Sequence, residues 1–163
     1  MVEQPVCEST EMERLVDVYG TGMLRMCRMY LGDVHLAQDA VQDAFIKIYR
    51  AWRPIENPSA EKAWVMRITV NVCKDYLRSA WKRKVNLVEQ YPELPGMEEP
   101  KDGQGRLFQE IMALKPKYKE VILLHYYQNM NVREIAQTLG LAPSSVSNRL
   151  KKARERLRVL MER

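Results

Sequence analysis

The chain has 163 residues, a formal net charge of +5 and a pI of about 9.1. That length suits one ordinary domain or two small helical ones, and the charge is compatible with a polyanionic partner without requiring one. No apolar run approaches the roughly 20 residues that span a bilayer, no basic-then-apolar leader opens the chain, and Cys7, Cys27 and Cys73 lack metal-ligand spacing, so a soluble, cytoplasmic protein with reduced thiols is expected.

Helical periodicity begins at once. Met12, Leu15, Val16 and Tyr19 form one apolar stripe, continued by Met23, Met26, Cys27 and Tyr30. Gly20 and Gly22 are expected to split it into two short helices, since glycine is costly in a helix interior. Gly32 ends the second, and Asp33 can cap a helix from about Val34 to Trp52. Ala37, Ala40, Val41, Ala44, Phe45, Ile48 and Trp52 point that helix inward. Its outward face carries Asp39, Gln42, Asp43 and Ile46 at i, i+3, i+4, i+7. An apolar side chain beside two carboxylates reads as a protein-docking patch rather than a DNA face.

After the loop RPIENPSAEK, punctuated by Pro54 and Pro58, a long helix runs from about Ala60 to Lys84. Its expected inward stripe is Trp64, Ile68, Val72 and Tyr76. Another face presents Arg67, Asn71, Lys74, Arg78, Trp81 and Lys82, extended by Arg83 and Lys84. Cations with an amide and an indole along one side can bind phosphates and meet a base face. The stretch from Val85 to Gly105 is a linker by composition, with Pro92, Pro95 and Pro100, Gly96, Gly103 and Gly105, and an acidic excess. The division is therefore 1–84, a linker 85–105, and 106–163. Helices are expected around Leu107–Leu114 and Lys117–Gln128. The fold class is all-α, two small helical domains on a flexible linker, with no strand candidate and no internal repeat.

The last third, Asn131 to Leu157, reads as helix, tight turn, helix. Val132, Ile135, Ala136 and Leu139 make a short amphipathic helix, Gly140 suits a left-handed cap, and Pro143 can open the next helix. Val146, Leu150, Ala153 and Leu157 form its buried stripe. Ser144, Ser145, Ser147, Asn148, Arg149, Lys151 and Lys152 are left outward, which suits a helix lying in a major groove.

Catalysis finds no support: there is no glycine-rich phosphate loop, nucleophile elbow or metalloprotease helix. His35, Asp39 and Asp43 share a helix face, but the other histidine, His125, lies in the second domain within an apolar helix. No catalytic residue, metal or cofactor is expected, and the protein is not expected to be an enzyme.

These pieces in this order resemble an extracytoplasmic-function sigma factor, the compact sigma-70 class holding only regions 2 and 4. The resemblance covers roughly residues 10–84 and 106–160. DVHLAQDAVQDAFIKIYRAW resembles region 2.2, AWVMRITVNVCKDYLRSAWKRK resembles regions 2.3 to 2.4, and LKPKYKEVILLHYYQNMNVREIAQTLGLAPSSVSNRLKKARERL resembles region 4. It implies a subunit that binds core RNA polymerase and directs initiation at promoters, commonly in stress responses and under an anti-sigma factor. By position it places Asp39, Gln42, Asp43 and Ile46 on the clamp helices of the largest polymerase subunit, and region 4 on the flap. The loop from Arg53 to Lys62, Arg53 and Asn57 among its residues, would form the pocket for a flipped −10 base, and Trp64 would join the residues on the −10 element. Arg67, Asn71, Lys74, Arg78, Trp81 and Lys82 would face the −10 element. Arg133, Ser144, Ser145, Ser147, Asn148, Arg149, Lys151 and Lys152 would engage the −35 element. The family often has Ser or Thr capping the recognition helix, where this chain has Ala142-Pro143. The main rival expectation is a conventional helix-turn-helix regulator, and a second is a helical metalloenzyme built around His35, Asp39 and Asp43.

Magnitudes limit what the chain can do alone. Unstacking costs about 1.4 kcal/mol per base-pair step, and stacking a base on an aromatic side chain returns roughly 1–3 kcal/mol. A few captured bases offset only the first steps of melting, so a bubble must draw on polymerase contacts.

Overall fold

The computed structural model describes residues 7–84 and 104–161. Among the described residues all regular structure is helical: α1 (Ser9–Leu31), α2 (Val34–Ala51), α3 (Pro58–Lys84), α4 (Gln104–Ala113), α5 (Pro116–Ile122), α6 (Val132–Leu139) and α7 (Pro143–Met161). The expected linker lies outside the described residues over 85–103.

The break expected at Gly20 and Gly22 does not occur. α1 runs unbroken and buries Leu15, Tyr19, Met23, Met26, Cys27, Met29 and Tyr30. Each glycine costs about 1 kcal/mol relative to alanine, and the apolar burial along 23 residues of helix outweighs it. Gly22 has a packing reason: a Cβ there would sit 3.0 Å from the Gln128 side-chain oxygen. Val16 falls outside the stripe and is 44% exposed. Gly32 ends the helix at φ +74°, its N–H donating to the Arg28 carbonyl. The Asp33 side chain then accepts from the His35 and Leu36 N–H groups and starts α2. α2 packs on α1 and α3 through Ala37, Ala40, Ala44 and Ile48, all fully buried, with Val41, Phe45 and Trp52 at the margin.

The loop ends sooner than the sequence suggested. The Asn57 side chain accepts from Ser59 N–H at 2.9 Å and Ala60 N–H at 3.2 Å, so α3 starts at Pro58. α3 buries Ala63, Val65, Met66, Thr69, Val70, Val72 and Cys73, whereas Trp64, Ile68 and Tyr76 are only half-buried. A single narrow stripe was expected. α3 is instead packed by α1 and α2 on one side and by α6 on another, which widens the buried arc and leaves the large rings at its edge.

In the second half, the expected helix over Lys117–Gln128 is two pieces, α5 and a wide π-helical turn over Leu123–Tyr127. Asn129 at φ +55° closes it, a conformation asparagine tolerates. Asn131 and Glu134 form a reciprocal capping box on α6, a feature that satisfies two orphan backbone donors. Gly140 at φ +68° and the Leu141 N–H on the Ala136 carbonyl (3.0 Å) end α6. Ala142 contributes only its carbonyl, accepting from Ser145 and Val146, to the start of α7.

The two halves are not separate bodies. One contiguous core runs from Leu15, Met23 and Tyr30 through Met66 and Val70 to Ile111, Val121, Leu124, Ile135 and Leu150. α1 meets α4, α5 and the π turn, and α3 lies along α6.

Candidate nucleic-acid interface

α6 and α7 cross as a helix-turn-helix held by Ile135 and Ala136 on one helix and Val146, Leu150 and Ala153 on the other, all buried. That packing leaves Ser144, Ser147, Asn148, Lys151 and Lys152 exposed along one side of α7, and Arg133 exposed on α6. Ser145 is half-buried. Arg149 is also half-buried, its guanidinium 3.5 Å from the Glu120 carboxylate on α5, and so is not a free cation.

On α3, Arg67, Asn71 and Arg78 are exposed and Lys74 is half-buried. Arg78 pairs with Asp75 at 2.9 Å, one turn away, and Lys74 lies 3.4 Å from Glu120. Trp81 and Lys82 sit on the last turn of α3, and their side chains lie outside the described ones. Among the described side chains of this stripe, two cations face the second half of the chain: Lys74 beside Glu120, and Arg67, whose guanidinium lies 3.8 Å from where a Cβ on Gly140 would stand.

The loop before α3 borders a cavity of about 640 Å³, lined by Arg50, Ala51, Trp52, Arg53, Pro54, Ile55 and Trp64. Arg53, Pro54 and Ile55 belong to the loop expected to form it, and Trp64, expected on the −10 element, lines it from α3. Asn57 does not line it and instead caps the start of α3. Trp52 was missed; it read as a core position because its spacing matches the inward stripe of α2. Behind this loop, Arg14 holds Glu61 bidentately, at 2.7 and 3.1 Å, while Tyr19 donates to Glu61 at 2.8 Å. Burial, and then the Glu61 carboxylate, push the Tyr19 hydroxyl well above the usual phenol range. This triad, with Tyr19 and Glu61 buried and Arg14 exposed over them, ties the start of α3 to α1.

The carboxylate patch on α2 is present as drawn: Asp39, Gln42 and Asp43 are exposed and Ile46 is 48% exposed. Asp43 carries a constraint the sequence did not disclose, since the Tyr76 hydroxyl on α3 donates to it. Burial first, and that carboxylate second, raise the Tyr76 hydroxyl. Among the described residues no group of three or more His, Cys, Asp or Glu could hold a metal ion. His125 uses Nδ1 on the Met130 carbonyl at 2.8 Å and packs edge-on against Tyr126, a structural role. Cys27 and Cys73, 46 positions apart, meet with their sulfurs 3.5 Å apart in the core. Contact with Cys27, then burial, raises the Cys73 thiol far above its ordinary value, so it packs as a hydrophobe. No helix of the described residues is long and apolar enough to cross a membrane.

Comparison with known proteins gives this geometry its class. Residues 15–83 match Sigma-70 region 2, and residues 104–157 match Sigma-70, region 4. The RNA polymerase sigma-E factor of Streptomyces coelicolor is 30% identical over 155 residues, covering 93% of this chain and 86% of that protein. The ECF RNA polymerase sigma factor SigW of Bacillus subtilis is 28% identical over 163 residues, covering 88% and 85%. In fold, the sigma factor RpoE of Bartonella quintana, solved with the anti-sigma factor NepR, superposes with a TM-score of 0.75 at 19% identity over 94% of this chain and 98% of its own. CnrH, solved with the cytosolic domain of CnrY, gives 0.68 at 23% identity over 95% and 90%. The chain belongs to the extracytoplasmic-function sigma factors of the sigma-70 family.

Proposed function

We propose that this sigma factor binds core RNA polymerase in the cytoplasm and directs promoter-specific initiation, with α7 reading the −35 duplex and α3 with its preceding loop capturing the −10 non-template strand. The observation that carries this reading is the pairing, in one chain, of two different nucleic-acid surfaces. α7 offers a row of short polar side chains and lysines that a major groove admits. The α3 loop offers a cavity walled by Trp52 and Trp64 and edged by Arg50 and Arg53, chemistry suited to an unstacked base and its phosphate. A duplex-only regulator has no use for the second surface.

In this reading Ser144, Ser147 and Asn148 meet base edges, while Arg133, Lys151 and Lys152 hold phosphates. Arg67, Asn71, Lys74 and Arg78 follow the −10 strand, with Trp81 and Lys82 continuing the same helix. Asp39, Gln42, Asp43 and Ile46 dock on the polymerase clamp helices, and the second domain meets the flap. The domains are residues 1–84 and 106–163, joined by 85–105. The polymerase supplies the chemistry, and the chain contributes no catalytic group or cofactor. An anti-sigma factor is the expected regulator, in keeping with the partners of RpoE and CnrH.

Run-off transcription tests the proposal. Purified chain plus core polymerase is expected to give discrete transcripts from a genomic promoter library, and neither component to do so alone. Absence of any specific transcript overturns it.

A further inference from the structure

The loop that borders the cavity before α3 has little structure of its own. Residues 52–57 form neither helix nor strand, and at Trp52 (φ −56°, ψ 135°) the chain leaves α2 in an extended conformation. The two indole walls of the cavity are therefore oriented from outside the loop, and both lines of contact lead to α1. On one side, Trp64 sits one turn beyond Glu61 on α3, and Glu61 is held by Arg14 and Tyr19. On the other, the Trp52 indole hydrogen-bonds to the carboxylate of Glu11, in the first turn of α1. Arg14 joins the two sides. Its guanidinium donates to Glu11 at 2.6 and 3.2 Å and to Glu61 at 2.7 and 3.1 Å. Hydrogen bonds from Arg14 first, then its charge and the Trp52 indole, outweigh partial burial and hold the Glu11 carboxyl below its usual range. One cation thus links two carboxylates, and each carboxylate fixes one wall.

An indole has one polar hydrogen and no acceptor. Engaged by Glu11, that hydrogen is withheld from a nucleobase, so Trp52 offers a captured base its ring and no hydrogen bond. Discrimination between bases then falls to the rim, where Arg50 and Arg53 carry several donors each. Stacking depends on where the ring plane lies, and a half-buried ring just past a helix end can swing. Immobilising it before the base arrives removes an ordering cost from capture. As an ion pair, Glu11 and Arg14 at i, i+3 on an exposed helix face add little to stability. What distinguishes Glu11 is its hold on the indole. We infer that Glu11 is a positioning residue for −10 capture: it holds Trp52 in the plane on which the base stacks, and Arg14 couples that wall to the Glu61 that anchors Trp64. This rests on the promoter-reading proposal above and adds to it a residue from α1, outside the cavity itself.

A double-mutant cycle provides the test. The parent chain, E11A, E11Q, W52F and the E11A/W52F double variant are each assembled with core polymerase. Each complex is titrated with a fluorescent single-stranded oligonucleotide carrying the non-template −10 strand of a promoter recovered by run-off transcription. E11A is expected to weaken capture about fivefold, a fraction of what stacking on an aromatic ring provides, with −35 duplex affinity at the parental value. E11Q, whose amide oxygen still accepts from the indole, is expected to stay within about twofold of the parent. W52F keeps a ring and removes the N–H, so in that background E11A is expected to add less than about twofold, the non-additivity of two residues acting as one. In the free chain, the Trp52 indole N–H resonance, assigned by its loss in W52F, is expected to shift and to exchange faster with solvent in E11A but not in E11Q. Undiminished capture by E11A overturns the positioning role. So does an E11A effect of full size in the W52F background, an indole resonance that E11A leaves unmoved, or a parallel fall in −35 duplex affinity. Capture lost in W52A and W64A while E11A is inert removes Glu11 alone. Capture undiminished in W52A and W64A removes the base-capturing cavity beneath it.

Discussion

Asn148 and Lys151 sit one turn apart on the exposed side of α7, and the groove should tell them apart. An amide can read a base edge through two hydrogen bonds, whereas an ammonium on a phosphate carries no sequence information. Asn148→Ala is expected to weaken −35 binding by about 1–3 kcal/mol and to relax discrimination at one base position, whereas Lys151→Ala should weaken all sequences alike and lower the salt dependence by about one counter-ion. Binding isotherms on a matched set of −35 variants at several salt concentrations check both. Asp43 differs, because it already accepts from Tyr76. Asp43→Arg reverses the charge of the α2 patch and removes that acceptor, so core-polymerase affinity is expected to fall at least tenfold while the melting temperature drops only slightly. Asp39→Arg, without such a partner in the described contacts, should cut affinity with no stability change. Equal affinity in pull-down titrations would reject the patch.

At the level of elements, the loop before α3 works because its two ends are fixed: Asn57 caps the helix, and Arg14 with Tyr19 locks Glu61. Trp64→Ala is expected to remove about 1–3 kcal/mol from capture of a single-stranded −10 oligonucleotide by the polymerase complex, leaving −35 duplex affinity unchanged. Equal loss on both probes would mean that the ring supports the fold instead. Gly140 is a second element-scale test, since φ +68° strains any side chain. Gly140→Ala should lower stability by about 1 kcal/mol, read from denaturant midpoints. Where neighbouring residues in sequence decide the outcome, the chain was legible in advance: Asp33, Gly32, Gly140 and Pro143 punctuate the helices where their chemistry says they should. It was not legible where a distant element decides. Gly20 and Gly22 read as breakers because their propensity is visible and Gln128, packed on Gly22 from the second half of the chain, is not. Asn57 read only as a loop residue, and the cap it places on α3 went unseen because the helix was expected to start at about Ala60. Glu120 attracted no attention at all, lying in an apolar stretch with its partners 90, 46 and 29 positions away in sequence.

For the whole molecule, the buried hydroxyls tie stability to pH in a predictable direction. Tyr30, Tyr19 and Tyr76 each sit against a carboxylate, Glu120, Glu61 and Asp43 respectively, and burial followed by that neighbouring charge lifts all three above the ordinary phenol value. A phenol loses charge-neutrality on deprotonation, so above pH ~10, where the unfolded chain gives up these protons, the folded chain still holds them. The folded state then binds more protons, and stability falls as pH rises. Their contribution is complete below pH ~10 and is lost progressively above it. Each retained proton steepens the fall by up to about 1.4 kcal/mol per pH unit, with Tyr30, the most enclosed of the three, expected to come nearest that limit. Lys119 acts in the opposite sense: burial lowers its ammonium below the usual value, so the unfolded chain binds the extra proton and stability gains a little as pH climbs toward the ordinary lysine range. Three phenols and the Cys73 thiol, all raised, against the lowered Lys119 and Tyr118 leave a net alkaline loss. Denaturant midpoints between pH 8 and pH 11.5 should therefore decline gently as thiols of the unfolded chain ionise and more steeply above pH ~10, and Y30F should be less stable at pH 8 yet decline more gently. Parallel alkaline slopes for Y30F and the parent chain would mean that this hydroxyl titrates as freely in the folded chain as in the unfolded one.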